Sequence, residues 1–262
     1  MAKSKQIRYN KNFLSALAVV LLISFFVIFF LISRIKVIPE NDSAIIGNFI
    51  EWFGVLYGVL LALVVVEVWQ RHSLVNNEID READALVLLL KTTRYLQDKK
   101  KVLAIAKLIY DYSRIMLRAK HPRQYSNPKV NSKLDEIHRE IGSVLQDDRI
   151  PLPFSLEMMR YINDAIDIRG DWMSLVRERM PKGIWVLLLF TSVWWVLGFF
   201  GLNIENFTIA FTLCSVATFT VSAIIFIVND LDDPISGLWK TRFESFDILR
   251  KEAKNLLEQR NQ

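Results

Sequence analysis

Two carboxylates stand in a long charge-poor stretch of the sequence. Ala44 to Val68 carries no charge except Glu51 near one end and Glu67 near the other. A carboxylate at membrane depth is costly and tends to face a pore or a partner. With about 100° of turn per residue, Gly54, Gly58, Ala62, Val65 and Trp69 share the helix face of Glu51. That face is a candidate pore lining, with Glu51 as a ring near the outer mouth. The plain alternative is an interfacial glutamate beside Trp52. A ring of Glu67 would favour cations, whereas a snorkelling Glu67 would simply pair with Arg71. Gly54 and Gly58 form a G-x-x-x-G motif, which lets helices approach closely, between subunits or within one. Leu56, Leu60, Leu63 and Val64 lie on the other side, as a dewetting constriction or a lipid face.

Other chemistry-bearing groups are sparser. Asp230, Asp232 and Asp233 follow Asn229 in an oxygen-rich turn. A hard cation such as calcium wants six to eight oxygens, more than this turn holds, so Glu244 or backbone carbonyls would have to complete a site. Helix termination by Asn, Asp and Pro explains the turn equally well. Asp164, Asp167 and Asp171 repeat on one helix face near Arg160 and Arg169, the pattern of a solvated, salt-bridged surface. His72, His121 and His138 are scattered. No zinc-protease, phosphate-loop or nucleophile-elbow pattern stands out, and the expectation is that the protein is no enzyme. The lone Cys214 allows neither an internal disulfide nor a cysteine metal site. A net charge of +5 could suggest nucleic acid. Basic residues beside apolar runs mark the cytoplasmic face of a membrane instead, and no nucleic-acid partner is expected.

The elements that must position these residues are helices. About 20 apolar residues cross a bilayer core, and four runs qualify: Phe13–Ser33, Ala44–Val68, Gly183–Leu202 and Phe207–Val228. The first is too long for the apolar core of a signal peptide and lacks a small-x-small cleavage site. Lys3, Lys5, Arg8 and Lys11 precede it, and Lys240, Arg242, Arg250, Lys251 and Lys254 follow the last. Both termini are therefore expected in the cytoplasm, as is the stretch from Arg71 to Lys182. Several of Trp52, Trp69, Trp185, Trp194 and Trp195 sit at span ends as interfacial anchors.

Leu74, Ile79, Ala83, Leu86, Leu89 and Leu90 recur at helical spacing, so span two runs on into a helix over His72–Gln97. Further helices are predicted over Val102–Leu117, Asn131–Leu145 and Ser155–Arg179, with a loop over His121–Lys129. The expected class is an all-α integral membrane protein: four transmembrane helices, with a helical cytoplasmic domain between spans two and three. Its parts are residues 1–70 with spans one and two, 71–182 as the cytoplasmic domain, 183–228 with spans three and four, and 229–262 as a cytoplasmic C-terminal helix.

Three motifs together resemble a prokaryotic family, the bestrophin-like domain family. They are the end of span two running into NEIDREADALVLLL up to Leu90, the approach to span three (IRG, then RERMPKGIW, with Arg169, Arg179, Pro181 and Trp185), and the close of span four, LDDPISG, Leu231 to Gly237. The last departs from the family pattern at Asp233 and Ile235. The resemblance implies kinship with bestrophins: pentameric anion channels with four spans, a helical cytoplasmic domain and a pore lined by span two. It also implies calcium as a candidate cofactor, since Asp230, Asp232 and Asp233 fall near the place of an acidic calcium cluster. The expectation is a homo-oligomeric ion channel of the cell inner membrane, a pentamer by resemblance with a tetramer left open. Its partners would be the lipid bilayer, inorganic ions and other copies of the chain. A non-conducting scaffold or sensor binding a cytoplasmic partner is the alternative, and a transporter, favoured by Gly198 and Gly201 in span three, is the weaker third.

Overall fold

The structure, a computed structural model, describes residues 40–259 except 120–121, 126, 146–149, 201, 203, 205 and 240. Span one, Phe13–Ser33, lies outside the described residues. The described chain is helical throughout: α1 (Glu40–Thr93), α2 (Lys99–Arg118), α3 (Pro122–Tyr125), α4 (Pro128–Leu145), α5 (Leu152–Arg177), α6 (Lys182–Phe200), α7 (Phe207–Leu231) and α8 (Glu244–Gln259). Three of these stretches are long and apolar enough to cross a membrane, carried by α1, α6 and α7.

Helix ends follow local chemistry. α1 stops at Thr93, short of the expected Gln97. There Thr92 and Thr93 donate their hydroxyls back to the carbonyls of Leu88 (2.9 Å) and Leu90 (2.7 Å), and such bonds compete with helix continuation. Asp98 then caps α2, accepting from the backbone N–H of Lys100 (2.9 Å) and Lys101 (3.4 Å), so α2 begins at Lys99 rather than Val102. α4 begins at Pro128, with Asn127 accepting from the N–H of Lys129 (3.0 Å). α5 begins at Leu152, since proline in a first turn lacks only a donor that has no helical partner anyway. Asn206 caps α7 through Thr208 and Ile209.

The chain divides into two compact units. One comprises Met180–Asp232 with the residues up to Trp69. In it Tyr57, Leu61, Val64 and Val68 of α1 form one core with Leu188 of α6 and Val221, Val228 and Leu231 of α7. Their spacing of three and four residues puts the α1 members on one stripe. The Ser192 hydroxyl donates to the Leu188 carbonyl (2.6 Å), so the buried Tyr57 hydroxyl donates to Ser192 Oγ (2.7 Å). Two glycines set the closeness of α1 and α6. A Cβ on Gly54 would lie 2.9 Å from Trp195 Nε1, and one on Gly198 would lie 2.8 Å from Ile50 Cγ1. Gly54 therefore makes a contact within the subunit, while Gly58 has nothing within 4 Å. α6 passes unbroken through Gly198, which serves packing there rather than a break.

The other unit comprises Gln70–Arg179 and Asp233–Gln262. α2 is central, packed on α8 and α4, and α4 packs on α5. Ile79, Leu86, Leu89 and Leu90 of α1 join Ile105, Ile109 and Met116 of α2, Ile137 and Ile141 of α4, Ile162 and Trp172 of α5, and Phe246 and Leu249 of α8 in a single core.

Candidate functional site

Because one stripe of α1 is used inside the subunit, the rest of its apolar part forms a broad exposed arc. Of the candidate face, Glu51, Gly58, Ala62 and Trp69 are exposed, and Gly54 and Val65 are half-buried; Glu67, also exposed, lies on the other side of the arc. The structure thus places most of that face away from α6 and α7, with Gly54 turned inward at its edge. On the other side Leu56 and Leu63 are exposed, Leu60 is half-buried and Val64 is buried. The arc has a small and acidic half and a bulky apolar half, which includes Val59 and Val66.

The second unit holds a buried ionic cluster that the sequence pattern did not bring forward. Glu82, on α1, is fully buried. It accepts from the Tyr112 hydroxyl and from Trp172 Nε1 (2.6 Å), and Arg169 Nη1 lies 3.5 Å from it. The Arg169 guanidinium also reaches the Tyr112 hydroxyl (2.6 Å), the Tyr125 carbonyl (2.6 Å) and Asn131 Oδ1 (3.2 Å). It sits over the ring of Trp172 at 5.4 Å. A buried charge pair is tolerated when its remaining donors and acceptors are satisfied, and here they are. Burial pushes the Glu82 carboxyl up, against the pull of Arg169, Tyr112 and Trp172. Tyr112 is raised far above its ordinary value, by burial first and by the Glu82 charge next.

Arg169 is therefore no partner of the aspartates along α5. Asp164, Asp167 and Asp171 are exposed, and Arg160 pairs with Glu157 (2.6 Å). The sequence did carry a signal. Glu82 lies on the apolar stripe Ile79, Ala83, Leu86, and Arg169 on the stripe Ile162, Ala165, Trp172. A charge on each of two buried stripes marks a buried pair.

The acidic turn closes on the chain itself. Asp232 Oδ1 accepts from the backbone N–H of Met180 (2.9 Å), tying the end of α7 to the approach of α6 within the first unit. In the second unit Asp233 accepts from Ser236 through N–H (3.1 Å) and Oγ (2.7 Å), with Arg179 at 3.4 Å. Thr241 donates both its N–H and its hydroxyl to the Pro234 carbonyl. Among the described residues no three His, Cys, Asp or Glu side chains converge on a metal position. Calcium needs six to eight oxygens. Asp232 and Asp233 already accept from the chain itself, so an ion at the turn would need further oxygens.

The model of the Bestrophin-like domain family matches residues 14–246. No protein of curated function matches the sequence significantly. Several solved structures share the fold. A bacterial bestrophin homologue from Klebsiella pneumoniae is 12% identical, with a TM-score of 0.69 over 90% of this chain and 98% of that one. A variant of that homologue with a tyrosine replaced by alanine gives 0.71 at 11% identity, over 94% and 98%. Another with a tryptophan replaced by alanine gives 0.73 at 12%, over 92% and 98%. Two of the quoted motifs meet in the Glu82–Arg169 cluster, and the second also meets the third, in Met180–Asp232 and Arg179–Asp233.

Proposed function

The chain belongs to the Bestrophin-like domain family, and from that premise we propose that it is a homo-oligomeric ion channel with α1 lining the pore. One observation carries the reading: among the described residues α1 gives a single stripe to α6 and α7 and leaves a long arc uncovered, with Glu51 in its small half and Glu67 at the far edge of its bulky half. A helix arranged around an axis needs such a second face. A pentamer follows from the kinship. Four spans follow from the apolar runs, an inner-membrane location from the kinship, and cytoplasmic termini and a cytoplasmic second unit from the distribution of Lys and Arg.

With the small half inward, Glu51 forms a ring near the outer mouth and Trp69 lines the cytoplasmic end; with the bulky half inward, Glu67 takes the cytoplasmic end instead. In the first case Gly58 and Ala62 keep the path wide. Carboxylate rings favour cations. Single-channel recording of purified protein in a planar bilayer under asymmetric KCl tests this. A cation-selective reversal potential that collapses in Glu51→Gln supports the small half as the lining, and one that collapses only in Glu67→Gln supports the bulky half. Anion selectivity would make both carboxylates structural and move the lining to Leu56, Val59 and Leu63. Silence from folded, oligomeric protein would favour a scaffold. That second reading draws on an exposed aromatic pair of the second unit, Tyr95 (75% exposed) and Phe154 (43%), with ring centroids 5.8 Å apart.

A further inference from the structure

A cavity of about 460 Å³ opens on the second unit, lined by His72, Asp80, Leu238, Trp239, Arg242 and Glu244, with Ser245 at its wall. His72 follows Val68, the last residue of the apolar run, by four residues on the same helix, about one turn further along it. Leu238 and Trp239 are strongly exposed, in the segment that follows α7. Exposed leucine and tryptophan are costly in water and at home where headgroups meet acyl chains.

The polar wall carries both signs of charge. Asp80 is held by a hydrogen bond from the Ser245 hydroxyl (2.6 Å). Arg242 and Glu244 form an ion pair at 3.6 Å whose side chains are 83% and 78% exposed. Such an open pair is weak and readily exchanges its partner for a ligand group. Two carboxylates face one guanidinium, so a purely anionic headgroup is disfavoured. A primary ammonium suits Asp80 and Glu244, and a phosphodiester suits Arg242.

We propose that this cavity binds the headgroup of a phospholipid carrying a primary ammonium, with Leu238 and Trp239 against its acyl chains. A quaternary ammonium offers no N–H to the carboxylates, and a glycerol headgroup offers no cation, so both bind less well. The site is independent of whether the protein conducts.

The test uses full-length protein in vesicles of chain-brominated phosphatidylethanolamine with phosphatidylglycerol, against the same vesicles with brominated phosphatidylcholine. Subtracting the fluorescence of Trp239→Phe isolates the signal of Trp239. That signal is expected to be quenched at about a threefold lower mole fraction of the ethanolamine lipid. The preference should be lost in Asp80→Asn and in Glu244→Gln; the latter, being exposed, keeps the test valid where the former fails to fold. Equal quenching by both lipids overturns the proposal. So does a preference that survives Glu244→Gln. Quenching by neither lipid also overturns it and points to cover by a second copy of the chain.

Discussion

Replacing Arg169 by methionine removes one partner of the buried Glu82–Arg169 pair and leaves the other in place. The side chain is about 5% exposed, as its partner is 0%, so water cannot take its role. Breaking a buried pair on one side costs about 3–5 kcal/mol. The Tyr125 carbonyl and Asn131 lose their donor as well. Glu82 limits the loss by taking up a proton, which keeps the total near the lower end of that range. Glu82→Gln alone strands the guanidinium and costs a similar amount. In the double variant neither charge is left alone, and the Gln amide oxygen still accepts from Tyr112 or Trp172. The double variant is therefore expected to be about as stable as either single variant, a coupling of at least about 2 kcal/mol. For a unit of this size a loss of 3 kcal/mol lowers Tm by roughly 10 °C or more. Thermal unfolding of the full-length protein in detergent, followed by near-ultraviolet circular dichroism where buried Trp172 and Tyr112 contribute, measures all three. Additive losses in the double variant would refute the coupled cluster, and near-wild-type stability of Arg169→Met would refute its burial.

The same cluster sets a pH dependence. Glu82 holds its proton more tightly in the folded state than its ordinary value of 4.5, so its contribution is complete below that value and lost as pH rises through the raised one. A fall in Tm over that window, absent in Glu82→Gln, is the expected difference between the two titrations. Gly54→Val and Gly198→Val should each destabilise the first unit by about 1–3 kcal/mol through overpacking, because Trp195 and Ile50 occupy the space. Gly58→Ala, which meets nothing within 4 Å, should leave Tm within about 2 °C in a thermal melt. Millimolar calcium or its chelation should leave bilayer currents unchanged; an effect abolished by Asp230→Asn would show that the acidic turn opens to take the ion. Asp98→Ala removes the cap of α2 and should cost about 1 kcal/mol, read by the same melts.

Helical class and membrane character were legible in the sequence because both depend on local composition. Twenty apolar residues in a row can hardly be anything but a span, and the stripes at three- and four-residue steps place the soluble helices to within a few residues. The turns that ended α1 early and started α2 and α5 early depend on single side chains, Thr93, Asp98 and Pro151, which periodicity averages away. The site was legible only in outline. Glu51, Gly58, Ala62 and Trp69 share a face by geometry alone, but which face meets α6 and α7 depends on Tyr57 meeting Ser192 and Trp195, 135 and more positions away. No local rule relates them. Gly54 shows the same division: its spacing from Gly58 is a sequence fact, while its packing under Trp195 is decided by where a second helix crosses. The meeting of Glu82 with Arg169 is likewise tertiary. Each residue alone is a charge on an apolar stripe, and only the packing of α1, α2 and α5 makes the two charges one another's solvent.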